Sequence, residues 1–239
     1  MSPLDLRSAA WPDIAEAAAQ ADLLLVVPLG SCEQHGPHLP LDVDAVVVQA
    51  VARHAYAHLS RTALAPALPY GASGEHEGFA GTLSLGTAAL TIALLELGRS
   101  AARWAGQVLF VNGHGGNVDA LVAATQQLRH ESRDAAWWSC DVPGGDAHAG
   151  RAETSLLLAL RPAAVQLDRA RPGCTTPLPE LLPALRSGGV RAVAPSGVLG
   201  DPTGASGVEG EALLSDLVLL LISAVSRWQV APSGRLLPT

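Results

Sequence analysis

Five consecutive aliphatic residues, Leu23 to Val27, restrict the possible folds of this chain more than any other feature. Pro28 and Gly30 follow the run, which is therefore too short for a buried helix and is typical of a strand covered on both faces. Residues 107–112 form a second run of this kind. Strands that are apolar on both faces occur in parallel sheets packed between two layers of helices.

Helical and strand patterns alternate along the rest of the chain. We therefore predict a three-layer α/β/α sandwich with a mainly parallel sheet. No Ser/Gly-rich linker divides the sequence, so we expect a single domain over residues 1–239. The predicted strands are 23–27, 63–67, 107–112 and 135–140, and the predicted helices are 12–21, 43–59, 87–104, 118–133, 154–160, 181–186 and 207–228.

Composition narrows the class of partner. Hydrophobic residues make up 49% of the chain and charged residues 15%, which predicts a well-filled core and favours a homo-oligomer. A net charge of −7 argues against nucleic acid or an anionic membrane as partner. The three cysteines lack paired spacing, and no signal peptide or membrane-spanning run is evident, so we expect a cytoplasmic protein.

The loop after the first strand is dense in groups that bind metals or move protons. It carries Glu33, His35 and Asp44, and Asp44 lies close to the start of the next predicted helix. In an open α/β sheet, ligands bind at the carboxyl ends of the strands. A mixture of carboxylate and imidazole groups at that position predicts a site for divalent cations.

Two later loops carry further candidates. His114 lies in a glycine-rich loop after the second buried strand, and His148 and Glu153 precede the helix at 154–160. Asn117 is placed to cap the helix at 118–133. The three loops should open at one sheet edge, where two imidazoles and three carboxylates can hold two ions with one carboxylate bridging. Such a site can hydrolyse amides without a serine or cysteine nucleophile.

Two other interpretations of these loops are weaker. The glycine-rich segment 113–116 could bind phosphate, but no Gly-Lys-Ser/Thr sequence follows it. A serine hydrolase would need a Gly-x-Ser-x-Gly elbow, and the sequence contains none. Both observations leave a metal site as the favoured prediction.

A long glycine-rich loop over residues 70–85 offers a third kind of candidate. Ser73, Glu75 and His76 in this loop are predicted to bind substrate, because long loops in compact domains are often functional. The alternative is a solvated connection between two elements.

Three segments, 30–44, 112–117 and 148–155, resemble motifs of the creatininase (creatinine amidohydrolase) family and occur in the family's order. The resemblance implies metal ligands at four of the positions named above, with the aspartate bridging two ions. It also implies an acid/base role for His148 beside the activated water. The four implied ligands are Glu33, His35, Asp44 and His114.

The chain departs from creatininase at Gly115 and Gly116, where creatininase has Tyr and Glu. The resemblance therefore leaves one ligand missing and makes creatinine a doubtful substrate. We expect Glu153 to supply the missing carboxylate. Two divalent ions per chain are predicted, and Zn, Fe(II) and Mn(II) suit these ligands equally.

Four further segments are similar to those of a peptide-cleaving subgroup of the family. This similarity implies a peptidase that removes a carboxyl-terminal Val-Tyr dipeptide from a modified precursor peptide. Arg151 is the candidate for binding the terminal carboxylate of that substrate. A hydrolase of a cyclic amide or formamide, and a metal-binding protein without activity, remain as alternatives. The segments are 70–76, 146–150, 188–190 and 197–202.

Overall fold

The computed structural model describes residues 4–20 and 23–237. Its centre is a sheet of five strands in the order β1-β3-β2-β4-β5, and every neighbouring pair is parallel. The predicted fold class, a three-layer sandwich with a parallel sheet, is confirmed. The strands are β1 Leu4–Asp5, β2 Leu24–Leu29, β3 Thr62–Leu64, β4 Gln107–Asn112 and β5 Asp134–Ser139.

Within the described ranges the chain has seven helices, most of which cover the two faces of the sheet. Their bounds agree with the predicted helices to within a few residues, except at α6. The helices are α1 Trp11–Gln20, α2 Val43–Tyr56, α3 Gly86–Ala101, α4 Val118–His130, α5 Arg151–Leu160, α6 Leu178–Val193 and α7 Gly207–Arg227. None of these described helices combines the length and apolarity needed to cross a membrane.

Alternate residues of a strand pack into the hydrophobic clusters on opposite faces of the sheet. In β2, Leu24 and Val26 pack with α2, α5 and α7, whereas Leu25 and Val27 pack with α3 and α4. Strand residues alternate in direction, so a strand covered on both faces must be apolar throughout. This packing explains why the run from Leu23 to Val27 contains no polar residue.

Two elements differ from the sequence prediction. β1 has two residues, too few for a periodic pattern, and it pairs with β3 at the edge of the sheet. α6 is 16 residues long, whereas the prediction gave only 181–186. Pro183 and the glycines at 188 and 189 suggested irregular chain, but the helix continues past Pro183, and Gly189, with φ of +68°, absorbs a break in it.

The strand order reverses beside β2. The chain passes from β2 to β3 on one side, and then returns to place β4 on the other side. Loops leaving β2 and β4 therefore separate at a topological switch point, where open α/β sheets bind ligands. Glu33 and His35 follow β2, and His114 follows β4.

Candidate metal centre

The three predicted loops meet at the carboxyl edge of the sheet. The loop after β2 contributes Glu33 and His35, the first turn of α2 contributes Asp44, and the loop after β4 contributes His114. The first turn of α5 adds Glu153. The side chains of Glu33 and His35 are fully buried, and those of Asp44 and His114 are at most 7% exposed.

Asp44 lies between two histidines. Its Oδ1 atom is 3.2 Å from Nε2 of His35, and its Oδ2 atom is 3.6 Å from Nδ1 of His114. Glu33 Oε1 lies 3.1 Å from the same nitrogen of His114, and Glu153 Oε2 lies 3.8 Å from Nε2 of His35. The cluster therefore has two halves, with one oxygen of Asp44 facing each half.

Main-chain carbonyl groups fix the ring orientation of both histidines. Nδ1 of His35 lies 3.1 Å from the carbonyl oxygen of Glu33, and Nε2 of His114 lies 3.2 Å from the carbonyl oxygen of Ala72. A carbonyl oxygen only accepts hydrogen bonds, so each of these nitrogens donates one. The opposite nitrogen of each ring faces the carboxylates, where it can offer a lone pair to a metal ion once it has lost its proton.

Three carboxylate oxygens of the cluster lack a hydrogen-bond donor in the described part of the chain. Within residues 4–20 and 23–237, both oxygens of Glu33 and Oδ2 of Asp44 are buried and accept no hydrogen bond. Buried carboxylate oxygens without partners cost free energy unless a cation neutralises them. Ligand atoms of Glu33, His35 and Asp44 all lie within 4.8 Å of one another. These residues therefore fit divalent cations.

The electrostatics of the side chains agree with a site built for positive charge. Burial raises the pKa of Glu153 to about 7, although His35 opposes the shift. Burial and the Glu33 carboxylate also raise the pKa of Asp44. Burial alone would lower the pKa of His35, but Asp44 and Glu153 outweigh it and raise the pKa to about 10. These raised pKa values mean that, without metal, protons on the side chains offset the negative charge that a bound cation would otherwise neutralise.

His148 stands beside this cluster in a different state. Its Nε2 lies 2.7 Å from the main-chain oxygen of Gln34, and its Nδ1 lies 3.8 Å from Glu33 Oε1. Burial, together with His35 and His76, lowers the pKa of His148 well below its ordinary value. The ring is therefore neutral at physiological pH and can accept a proton.

Two adjoining cavities open onto the cluster. Asp44 and Glu153 border a cavity of about 440 Å³. His114 and His148 border a larger one of about 640 Å³, which also includes the predicted substrate-binding residues Glu75 and His76. The larger cavity has the size of a small-molecule or peptide-end site.

Ser73 is placed differently from the other two predicted substrate-binding residues. Its side chain is fully buried, and its hydroxyl group pairs with that of Ser31 behind the cavity wall. The main-chain N–H of Ser73 donates to Ser84 Oγ at 2.9 Å. The structure therefore gives Ser73 a role in joining two loops instead of contacting substrate.

Asn117 also differs from its prediction, because its side chain does not cap α4. Its amide nitrogen donates to the carbonyl oxygen of Gly30 at 3.1 Å and to Oδ1 of Asn112 at 3.0 Å, and its oxygen accepts from the N–H of Ala72 at 2.8 Å. Asn117 thus ties together the loops that carry the cluster. The sequence signal was only that an asparagine stands at each end of the glycine-rich segment.

Glu153 lies beside His35 and accepts a hydrogen bond from the N–H of Ala149 at 2.6 Å. Glu153 does not occupy the space above Gly116, and its place as a ligand beside His35 stays a prediction. That space is bordered by Ala72, His114 and Glu75. Glu75 Oε1 lies 3.3 Å from Nε2 of His114, so it contacts the side of the ring that faces away from Asp44.

Fold and site together define a class of hydrolase with a parallel α/β sheet and a buried cluster of imidazole and carboxylate groups at the sheet's carboxyl edge. Comparison with known proteins agrees. The sequence model of the family described as "Creatininase: Creatinine amidohydrolase" matches residues 7–225. The chain belongs to the creatininase family, whose members act on amide C–N bonds.

Two groups of curated relatives match this chain to different degrees. The mycofactocin precursor peptide peptidases of Mycobacterium ulcerans and Mycobacterium tuberculosis (strain H37Rv) are each 54% identical, over 89% of this chain and 88% of theirs. The creatinine amidohydrolase of Pseudomonas putida is 30% identical, over 90% of this chain and 93% of its own.

Solved structures of creatininase share the fold. A mutant creatininase aligns with a TM-score of 0.78 at 28% identity, over 94% of this chain and 98% of its own. A structure named "Creatininase Mn" aligns with a TM-score of 0.75 at 27% identity, over 95% and 98%. A mutant described as "Zn-Zn type" aligns with a TM-score of 0.74 at 27% identity, over 95% and 99%.

Proposed function

We propose that this chain is a metal-dependent mycofactocin precursor peptide peptidase, which removes the carboxyl-terminal Val-Tyr dipeptide from the modified precursor peptide. The observation that carries this proposal is the difference in similarity: 54% identity to curated peptidases of that name, against 30% to a creatinine amidohydrolase. This chain has Gly115 and Gly116 where creatininase has Tyr and Glu, and this difference also favours a peptide substrate over creatinine.

We infer that the cluster holds two divalent ions, with Glu33 and His114 in one half, His35 and Glu153 in the other, and Asp44 shared. Creatininase structures with manganese and with two zinc ions support this number and these metals, and Fe(II) suits the same ligands. When bound, such ions activate a water molecule and polarise the scissile carbonyl group. The partnerless oxygens of Glu33 and Asp44 support the assignment.

His148 is the acid/base residue in this proposal. Its neutral ring presents the bare Nδ1 atom toward Glu33, at 3.8 Å from Oε1, and so lies within reach of a water molecule held at the cluster. His148 accepts a proton from that water and returns it to the amine nitrogen of the leaving dipeptide. Main-chain contact with Gln34 holds the ring in place throughout.

Arg186 is our candidate for binding the terminal carboxylate of the substrate. It borders the larger cavity together with Leu178, Leu182 and Leu185 of α6, whose apolar side chains suit the dipeptide. Arg186 forms no ion pair with any carboxylate in the described part of the chain, whereas the earlier candidate, Arg151, pairs with Glu209 at 2.9 Å. A free cation beside an apolar cavity suits a peptide terminus.

The test of the function uses the purified, metal-loaded protein. One reaction contains the modified precursor peptide ending in Val-Tyr, and a second contains creatinine. We expect release of the dipeptide, detected by mass spectrometry, and no loss of creatinine. Turnover of creatinine without dipeptide release would contradict the proposal and favour a small cyclic amide as substrate.

A peptide with an amidated carboxyl terminus tests Arg186. A hydrogen bond to a charged group contributes about 1.5–3 kcal/mol, and exposure of Arg186 reduces this value, so Arg186→Gln should lower kcat/KM for the free acid roughly tenfold. The amidated peptide should be cleaved equally by both proteins. Equal loss with both peptides would show that Arg186 acts on something other than the carboxylate.

Cytoplasmic location and assembly into a homo-oligomer remain part of the proposal. Size-exclusion chromatography with light scattering measures the assembly directly.

A further inference from the structure

Two buried histidines beside the cluster, His76 and His148, contact the same residue. Their rings lie 4.5 Å apart, and Gln34 contacts one nitrogen of each. The proposed function uses His148 as a base and gives His76 no role. The hydrogen bonds of Gln34 decide which nitrogen of each ring carries a hydrogen.

The amide group of Gln34 has one orientation. Its Oε1 accepts a hydrogen bond from the main-chain N–H of Gly36 at 2.8 Å, and its Nε2 donates to the carbonyl oxygen of Gly197 at 3.1 Å. Main-chain groups are only donors or only acceptors, so these two contacts identify the oxygen and the nitrogen of the amide. One hydrogen of Nε2 remains for another partner.

The ring of His148 cannot accept that hydrogen. Its Nε2 lies 2.7 Å from the main-chain oxygen of Gln34, which only accepts, so this nitrogen carries a hydrogen itself. Its 3.0 Å contact with Gln34 Nε2 then joins two donors and is not a hydrogen bond. His148 therefore presents its bare Nδ1 atom to the cluster.

The ring of His76 takes the remaining hydrogen. Its Nδ1 lies 2.9 Å from Gln34 Nε2 and accepts the bond, so the hydrogen of this neutral ring is on Nε2. Nε2 lies 3.2 Å from Glu33 Oε1, yet that oxygen accepts no hydrogen bond within residues 4–20 and 23–237. His76 also lines the larger cavity, so its N–H remains available to a substrate group bound there.

We propose that His76 is a hydrogen-bond donor to the carbonyl oxygen of the scissile amide, and that Gln34 is the positioning residue that keeps its N–H directed inward. The two rings carry their hydrogen on the same atom but face the cluster with opposite sides: His148 offers a lone pair and His76 offers an N–H. This inference rests on the proposed function for the identity of the substrate. It distinguishes His76 from a metal ligand, because a ligating Nε2 carries no hydrogen.

The tautomer can be measured without any substrate or variant. Two-bond ¹H–¹⁵N correlation spectra of the zinc-loaded protein with ¹⁵N-labelled histidine report which ring nitrogen carries a hydrogen. Signals are assigned by loss in His76→Ala and His148→Ala. We expect Nε2 of both residues to be protonated while zinc is bound. An Nε2 of His76 that is deprotonated in the zinc-loaded protein would overturn the proposal.

Substitutions test the contact with substrate. Loss of one hydrogen-bond donor to the developing oxyanion typically costs about 10²–10³ in kcat. His76→Ala should show this loss with little change in KM and with the same metal content as the unsubstituted protein. His76→Gln, which retains an N–H donor, should regain part of the rate. His54→Ala, an exposed histidine of α2, is the matched control.

Gln34→Glu tests the positioning role. A carboxylate has no hydrogen to give to Nδ1 of His76 and accepts one instead, so Nδ1 should become protonated and the neutral Nε2–H form of the ring should be lost. We expect kcat to fall as in His76→Ala, metal to be retained, and the signal of the neutral Nε2–H form of His76 to disappear. Full rate in either variant, or loss of one ion in His76→Ala, would overturn the proposal.

The outcomes separate this inference from the proposed function. If the unsubstituted protein does not cleave the peptide, the function is wrong, and the spectra still decide the tautomers. If it cleaves the peptide and His76→Ala loses metal, the function stands and His76 is a ligand.

Discussion

Asp44→Asn is the substitution with the largest expected effect on metal binding. The asparagine has nearly the same shape, so packing at the start of α2 should not change. It removes one negative charge that lies 3.2 Å from His35 on one side and 3.6 Å from His114 on the other. Because each oxygen faces a different half of the cluster, one substitution should weaken both metal positions.

The size of the effect follows from Coulomb's law. Two unit charges about 4 Å apart interact by roughly 4 kcal/mol at an effective dielectric constant near 20. A divalent ion doubles this attraction, and the cost of desolvating the buried carboxylate offsets part of it. Every ~1.4 kcal/mol is a factor of ten in affinity, so the loss of this charge should weaken metal binding by at least about a thousandfold. Dipeptide release should fall below detection with the metal.

The assay is metal content after dialysis against a chelator, followed by calorimetric titration with Zn²⁺ or Mn²⁺. Asp42→Asn is the matched control, because Asp42 is two residues away and its side chain is 49% exposed in a pair with Arg161. Exposed ion pairs contribute about 0–1 kcal/mol, so Asp42→Asn should bind metal normally. Two ions and a full rate in Asp44→Asn would refute the bridging role.

Two further substitutions separate the roles of neighbouring residues. The glutamine of Glu153→Gln can still accept the hydrogen bond from the N–H of Ala149, so a purely structural role of Glu153 would survive the substitution. We expect the variant to lose one of two ions and its hydrolytic activity. Metal analysis showing both ions would contradict the role of Glu153 as a ligand. His148→Ala should retain metal while kcat falls by ~10²–10⁴. The neutral ring is the base, and burial lowers the pKa of His148 below the ordinary histidine value of about 6.5. The rate of the unsubstituted protein should therefore decline only below about pH 6.5. This decline should be absent in the variant. A rate that declines above that pH, or metal loss in the variant, would argue that His148 is a ligand.

The sequence was sufficient for the sheet and for the position of the cluster. Runs such as Val108 to Val111 are apolar because both faces of the strand are covered. The rule that strand ends bind ligands then brings His114 close to Glu33. Strand β1 could not be found in this way, because Leu4 and Asp5 are too few to form a pattern and depend on pairing with β3.

The contacts around the cluster needed the structure. The role of Gln34 depends on the carbonyl oxygen of Gly197, which is 163 positions away in sequence. His76 looked like one charged residue of a loop, and its burial results from packing of that loop against α6. Asn117 fits the sequence pattern of a helix cap, but its side chain instead forms hydrogen bonds with the main chain of Gly30 and Ala72. Local patterns cannot rank such distant partners.

The loop that carries Glu75 also explains why this chain has glycine at position 116, where creatininase has Glu. A Cβ atom on Gly116 would overlap the carbonyl oxygen of Ala72, Nε2 of His114 and Oε1 of Glu75, so no side chain fits there while the loop that carries Glu75 is in place. Oε1 of Glu75 instead lies 3.3 Å from Nε2 of His114, where it can accept a hydrogen bond from the ring N–H. A carboxylate that accepts the ring N–H would orient His114 as a proposed metal ligand and raise its basicity. In the proposed site three ligand side chains face each half of the cluster, with Asp44 counted in both, so both halves keep their ligands without a carboxylate at position 116.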